Sequence, residues 1–151
     1  MLTLLLTILT AQADDLYKKY EWEVEPVIEI CPESNVTIEE VEEAMEYWYE
    51  EVNFTYKTIR KVKNCAYQKE NVIQVSDGAK VNFDKKELAN TAVYTYKYSD
   101  SNQKFIDYAL VSIPNNPAYP NKQQILITHE IGHAIGYGHS HHDIMRPSPL
   151  H

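Results

Sequence analysis

His129, Glu130, His133 and His139 stand within eleven residues as H-E-x-G-H-x-x-G-x-x-H. In type and spacing they make a metal site with a base beside it. Histidines four apart lie one above the other on a helix face, so both imidazoles can reach one ion. Glu130, one step round from the first histidine, is placed to hold a water on that ion. Gly136 can leave the helix in a left-handed conformation and turn the chain so that His139 returns as third ligand. Three neutral imidazoles keep a fourth position open, the arrangement of a catalytic zinc rather than a structural one. All six histidines (129, 133, 139, 141, 142 and 151) lie in the final 23 residues. The competing reading is an ordinary amphipathic helix with a histidine-rich tail. A bare H-E-x-x-H would not exclude it, but the two glycines and the third histidine weigh against it.

Met145 follows His139 by six residues, inside Asp143-Ile144-Met145-Arg146-Pro147. With the extended histidine motif, this resembles the metzincin zinc endopeptidases, whose pattern ends in a Met-turn. Ser140 after the third histidine and Pro147 two residues past the methionine resemble the matrixin (matrix metalloproteinase-like) branch. Astacin-like and serralysin-like members carry a tyrosine where Pro147 stands, so no tyrosine ligand is implied. The resemblance implies one catalytic Zn2+ on His129, His133 and His139, with Glu130 as general base. Met145 would be a hydrophobic base beneath the imidazoles rather than a ligand; the alternative is a surface methionine in a mobile tail. The implied fold class is α+β, with an α/β-like twisted five-stranded mixed sheet, two main helices and a very short C-terminal subdomain carrying the Met-turn. The implied function is a secreted zinc metalloendopeptidase acting on extended protein or peptide substrates. A non-cleaving zinc-binding or adhesion module on the same scaffold is the second reading.

Two departures stand out. Five residues separate His139 from Met145, fewer than is usual in matrixins, and the sequence runs only six residues past Met145. The wall of the substrate pocket beyond the Met-turn is therefore an open question. There is no histidine before position 129 for the structural zinc that matrixins often hold, so no second zinc is expected. Nor is there a counterpart of the cysteine that plugs matrixin zymogens. His141 and His142 read as solvated side chains outside the site. Calcium through Asp77, Asp84 or Asp100 has no supporting ligand spacing.

The elements that must position these residues are legible in part. Val24–Ile30 reads as a first strand. A helix follows: Thr37 is the N-cap, Glu40 completes a T-x-x-E capping box, and Val36 with Val41 forms a hydrophobic staple. Ile38, Val41, Met45, Trp48 and Val52 then repeat at helical spacing and make a core face. Phe54–Val62, Val72–Val75, Ala92–Tyr98 and Ile106–Ile113 read as four further strands. Tyr94, Tyr96 and Tyr98 fall on one face of the fourth, as packing aromatics or a substrate surface. The resemblance makes that fourth strand the sheet edge along which a peptide would bind. After a turn-rich linker at 115–120, Asn121 caps the motif helix with Gln124 at the box position.

At 151 residues the chain is one domain. Residues 1–13, apolar and ending in Ala11-Gln12-Ala13, read as a secretory signal peptide, although no Lys or Arg precedes the apolar run; a buried N-terminal strand is the alternative. Residues 14–22 form an arm and 23–151 the catalytic domain. Cys31 and Cys65 most simply form one disulfide in an exported chain, and buried free thiols if the leader is not removed. The net charge of −8 argues against nucleic acid or an anionic membrane as partner. The partner expected is a protein or peptide substrate, taken by a monomer. Asn35 and Asn53 fit the N-glycosylation sequon, a short pattern that chance often supplies.

Overall fold

The computed structural model describes residues 15–65, 69–78, 81 and 85–148; the expected leader at 1–13, Asp84 and His151 lie outside them. The fold is α+β, a five-stranded mixed sheet with two helices. Among the described residues seven strands run in chain order: β1 (Tyr17–Lys18), β2 (Val27–Ile30), β3 (Thr58–Lys61), β4 (Val72–Ser76), β5 (Asn90–Tyr96), β6 (Phe105–Ser112) and β7 (Tyr137–Gly138). The helices are α1 (Ile38–Val52) and α2 (Gln123–Ala134).

The main sheet has the order β3-β2-β4-β6-β5. β2 pairs parallel with β3 and β4, and β4 pairs parallel with β6. β5 is antiparallel to β6 and lies at the edge. The central β4, Val-Ile-Gln-Val-Ser, is buried along its whole length, as a parallel strand covered on both faces must be. Its polar exceptions pair sideways: Ser76 and Ser112 hydroxyls meet at 3.4 Å. The strands begin or end two to four residues inside several of the expected bounds. Pro26 and Lys57 lie just outside, where the Lys57 N–H donates to the Pro26 carbonyl at 2.9 Å instead of extending a ladder.

β2 breaks the pattern of an apolar strand by burying Glu29, 1 % exposed. Burial pushes its carboxyl up, but hydrogen bonds and charge from Lys69 and Arg60, each at 2.6 Å, outweigh this and hold it below the usual range. Removing one partner would leave an under-compensated buried anion.

α1 starts where its capping box lies. The Thr37 hydroxyl accepts from the Glu40 N–H at 3.2 Å, and the Glu40 carboxylate accepts from the Thr37 N–H at 2.9 Å. Val36 and Val41 are both buried beside it. The helix ends on Asn53 in a left-handed conformation, φ 57°, a residue type that tolerates it. Its buried face, Val41, Ala44, Met45 and Trp48, packs on α2 and the sheet. α2 begins differently from expectation. Pro120–Lys122 form a single 3-10 turn, and no side chain caps the helix, so Asn121 does not act as its cap. Gln124 instead donates to the Glu40 carbonyl of α1 at 2.9 Å, which ties the two helix starts together.

Cys31 and Cys65 form the disulfide, with Cα atoms 5.5 Å apart and 34 positions between them in sequence. The bond fits a secreted protein, and no helix among the described residues is long and apolar enough to cross a membrane. It closes a loop spanning the whole of α1 and β3. Replacing both cysteines by alanine is expected to cost about 3–4 kcal/mol through the freed unfolded chain. Urea unfolding of the oxidised protein and the double variant measures this; coincident midpoints would rule it out.

Candidate metal centre and its cleft

Every residue of α2 from Leu126 to Gly132 is buried, so the helix is clasped on all sides and its register is fixed. Gly132 makes a close contact on two sides. A Cβ there would collide with the Trp48 ring and with Met145 Sδ, so only glycine lets α1 and the 3-10 turn Asp143–Met145 close on the helix together. Trp48 anchors the contact with its indole N–H, which donates to the Thr128 carbonyl at 2.9 Å. Its ring stacks on Tyr137, centroids 5.3 Å apart and nearly parallel. Met145 is fully buried there, which replaces the alternative of a methionine in a mobile tail.

His129 and His133 project from one face of α2, and the turn after the helix brings His139 to them. Gly136 makes that turn at φ +108°, a conformation side chains resist. It is a positive-φ bend but not the ideal left-handed helical one. It is crowded as well, since a Cβ would overlap the Tyr20 carbonyl oxygen. His133 Nε2 lies 3.1 Å from His129 Nε2 and 3.2 Å from His139 Nε2. His129 Nδ1 is 2.6 Å from the Ile144 carbonyl and His133 Nδ1 2.8 Å from the Tyr137 carbonyl. A carbonyl only accepts, so both Nδ1 atoms carry the proton and both Nε2 atoms present bare lone pairs. Lone pairs pointed at one another repel unless a cation lies between them. An ion bonded tetrahedrally to three nitrogens sets them about 3.3 Å apart, close to what is seen. The donor set therefore fits a metal such as zinc, with His129, His133 and His139 as ligands and two backbone carbonyls orienting the rings. Among the described residues these three are the one His/Cys/Asp/Glu group gathered closely enough for this.

Glu130 sits beside the imidazoles, 6 % exposed. Thr91, in the edge strand β5, donates its hydroxyl to Glu130 Oε2 at 2.6 Å and lies 3.1 Å from the Glu130 carbonyl. Burial raises the Glu130 carboxyl to about 7; the Thr91 hydrogen bond pulls it down and the nearby Glu87 charge pushes it up. A cation on the imidazoles would draw it back toward the ionised form. Thr91 escaped the sequence reading because the strand was begun one residue later, and a lone threonine at a strand start gives no signal of its own.

The segment 15–22 is more than an arm. β1 pairs antiparallel with β7, Tyr17 opposite Gly138 and Lys18 opposite Tyr137. The Lys19 and Tyr20 N–H groups both donate to the Gly136 carbonyl. The Trp22 indole donates to the Ala134 carbonyl at 3.0 Å and Lys18 Nζ to the Ile135 carbonyl at 3.1 Å. These donors satisfy carbonyls that a helix end leaves open, and they strap the ligand loop. On the other side the Ser140 N–H donates to the Met145 carbonyl and the Met145 N–H to the His142 carbonyl. His142 is not a freely solvated side chain: its Nε2 meets Glu51 Oε2 at 3.2 Å and pins the loop to α1.

Above the imidazoles opens a cavity of about 630 Å³, bounded by β5 and its approach, α2, the ligand loop and the strap. No family model matches the sequence, and no curated protein matches it.

Two outcomes follow. Metal-free protein titrated with zinc is expected to take up one ion per chain, and His133→Ala to lose that uptake; elemental analysis after gel filtration decides it, and undiminished binding by His133→Ala would sink the assignment. The second concerns protons. Burial, then the neighbouring His129, holds His133 down to about 4 against an ordinary 6.5, so the unfolded chain takes up a proton that the fold refuses. The contribution of His133 to the stability of the metal-free protein is therefore fully present above about 6.5 and lost as pH falls toward 4. Glu130, raised from 4.5 to about 7, works in the opposite sense across that interval, and Glu130→Gln is expected to steepen the loss. Urea midpoints at pH 7 and pH 5 in chelator read both effects.

Proposed function

We propose that this chain is a secreted, zinc-dependent endopeptidase of the metzincin type, most like the matrixin branch. The observation that carries the reading is the convergence of three Nε2 atoms beside a buried carboxylate, at the floor of a cleft bordered by an antiparallel edge strand. A zinc ion held by His129, His133 and His139 would activate a water near neutral pH and polarise the scissile carbonyl.

The protein's own groups do the rest. Thr91 occupies Glu130 Oε2, so Oε1 is the oxygen that accepts the proton of the attacking water. Glu130 then returns that proton to the leaving amine. Its burial keeps the carboxyl near the pH at which it must both take and give. β5 offers a free edge, so a peptide binds extended along it through backbone hydrogen bonds, and side-chain pockets supply selectivity. The stripe of tyrosines on β5 does not serve this as a unit. A bulge between Tyr94 and Thr95 breaks the alternation. Tyr94 stacks on Tyr108 at 4.2 Å, while Tyr96 and Tyr98 donate to Glu23.

Glu130→Ala is expected to keep its zinc and lose hydrolysis by at least about 10²-fold, read on denatured casein with and without chelator. Full activity in that variant would remove the mechanism, and no cleavage by the native protein would favour a non-cleaving zinc-binding module. Thr91→Val is expected to move the acidic limb of kcat/KM to higher pH, because it removes a hydrogen bond to the charged carboxylate. Thr91→Ser restores the limb if the hydroxyl is what matters.

A further inference from the structure

The charges around the cleft run against those of the chain. The sequence carries 22 Asp and Glu to 14 Lys and Arg, yet among the described residues Lys19, Lys85 and Lys86 line the cavity together with Glu87 and the base Glu130. The three neutral imidazoles on the floor cancel none of the charge of a bound divalent ion. The Lys19 side chain is exposed, but its backbone is tied to the ligand loop. Its N–H is bonded to the Gly136 carbonyl at 2.8 Å. Its methylenes lie across Gly138 so closely that a Cβ there would meet its Cδ and Cγ. Its Nζ stands 5.5 Å from the Tyr20 ring centroid, an arrangement in which the aromatic face supports the cation. Lys86 lies on the approach to β5 with φ +59°, a backbone conformation unusual for lysine. One cation thus belongs to the strap at the ligand-loop end and two to the approach to the edge strand.

We propose that this cleft selects peptides with acidic side chains flanking the scissile bond and rejects those with basic ones. The inference deepens the peptidase reading and rests on the same cleft. Lys19 bears on the site by position: it lines the same cavity as His133 and His139. A lysine set against a metal site is a Coulombic cost when the cleft is empty, and an anion on the ligand removes it. The acidic remainder of the surface repels anionic peptides at long range. The preference must therefore appear in the bound state, as slower dissociation, rather than as steered association.

Binding is measured without cleavage, using zinc-loaded Glu130→Gln protein. Fluorescent peptides of one length carry Gly-Leu at the centre and Glu, Gln or Lys at the two positions on either side. Anisotropy is read at low salt and at about 0.5 M salt, where screening is within a few ångströms. Affinity is expected to fall in the order Glu, Gln, Lys, with about tenfold between the extremes at low salt and much less at high salt. Adding Lys19→Glu and Lys86→Glu together is expected to reverse the order, and Lys19→Gln with Lys86→Gln to flatten it. Equal or better binding of the Lys peptide, an order indifferent to salt and to these changes, or no binding of any peptide overturns the proposal. Casein cleavage by the native protein is scored separately: an acidic preference without cleavage leaves the cleft's selectivity standing and removes the peptidase.

Discussion

The contact of Trp48, Gly132 and Met145 is the constraint from which the rest of the site follows. A helix can carry two histidines on one face in any context, but here its roll and height are set by a notch one atom deep. The Trp48 ring enters that notch from α1, and its N–H is bonded to the Thr128 carbonyl, one residue before the first ligand. Met145 enters from the far side and brings Ile144 with it, whose carbonyl orients His129. One missing methyl group thus fixes the helix, the turn and the direction of an imidazole lone pair together. A close-packed interior has no slack with which to absorb a methyl at that point.

Around this contact the protein keeps polar groups in low dielectric and partners nearly all of them with backbone. Carbonyls of Ile144 and Tyr137 hold two imidazoles; N–H and ammonium groups of the strap hold the carbonyls of Ala134, Ile135 and Gly136. Backbone partners are insensitive to the identity of the side chain that carries them. The hydrogen bonds to the two imidazoles therefore come from the main chain of Tyr137 and Ile144, not from their side chains. Glu130 is held otherwise, by a side chain, Thr91, that belongs to another element, as His142 is by Glu51. The basic group is therefore tied to the edge strand, so movement of that strand reaches the carboxylate directly.

Much of this was legible in the sequence where a local rule operates. The T-x-x-E box and the staple place the start of α1 to the residue and the 3.6-residue spacing gives its buried face, because capping and amphipathicity act within one turn of chain. The histidine spacing brought His129, His133 and His139 together for the same reason. What failed depends on distant chain. Asn121 looks like a cap, but Pro120–Lys122 enter the helix through a 3-10 turn and the cap is unused. Nothing in the sequence singles out Glu29, whose partners Arg60 and Lys69 come from distant chain. His142 reads as solvated until α1 presents Glu51. Residues 17–22 have no periodicity to betray a strand, since two paired residues are too few to make one. Their role is set wholly by what they lie against.

That last element carries a kinetic consequence. Lys18 and the Ile135 carbonyl it holds are 117 positions apart, so this tie closes nearly the largest ring the described chain contains. Long rings are entropically slow to shut and gain their reward only after the intervening sheet is built. With two residues per strand, β1–β7 is also the shortest ladder among the described residues, and short ladders are where fraying is expected to start. Maturation and wear of this protein should therefore both be felt at the same place: the last stitch to be sewn is the first to come undone, and it is the one that crosses the histidine turn.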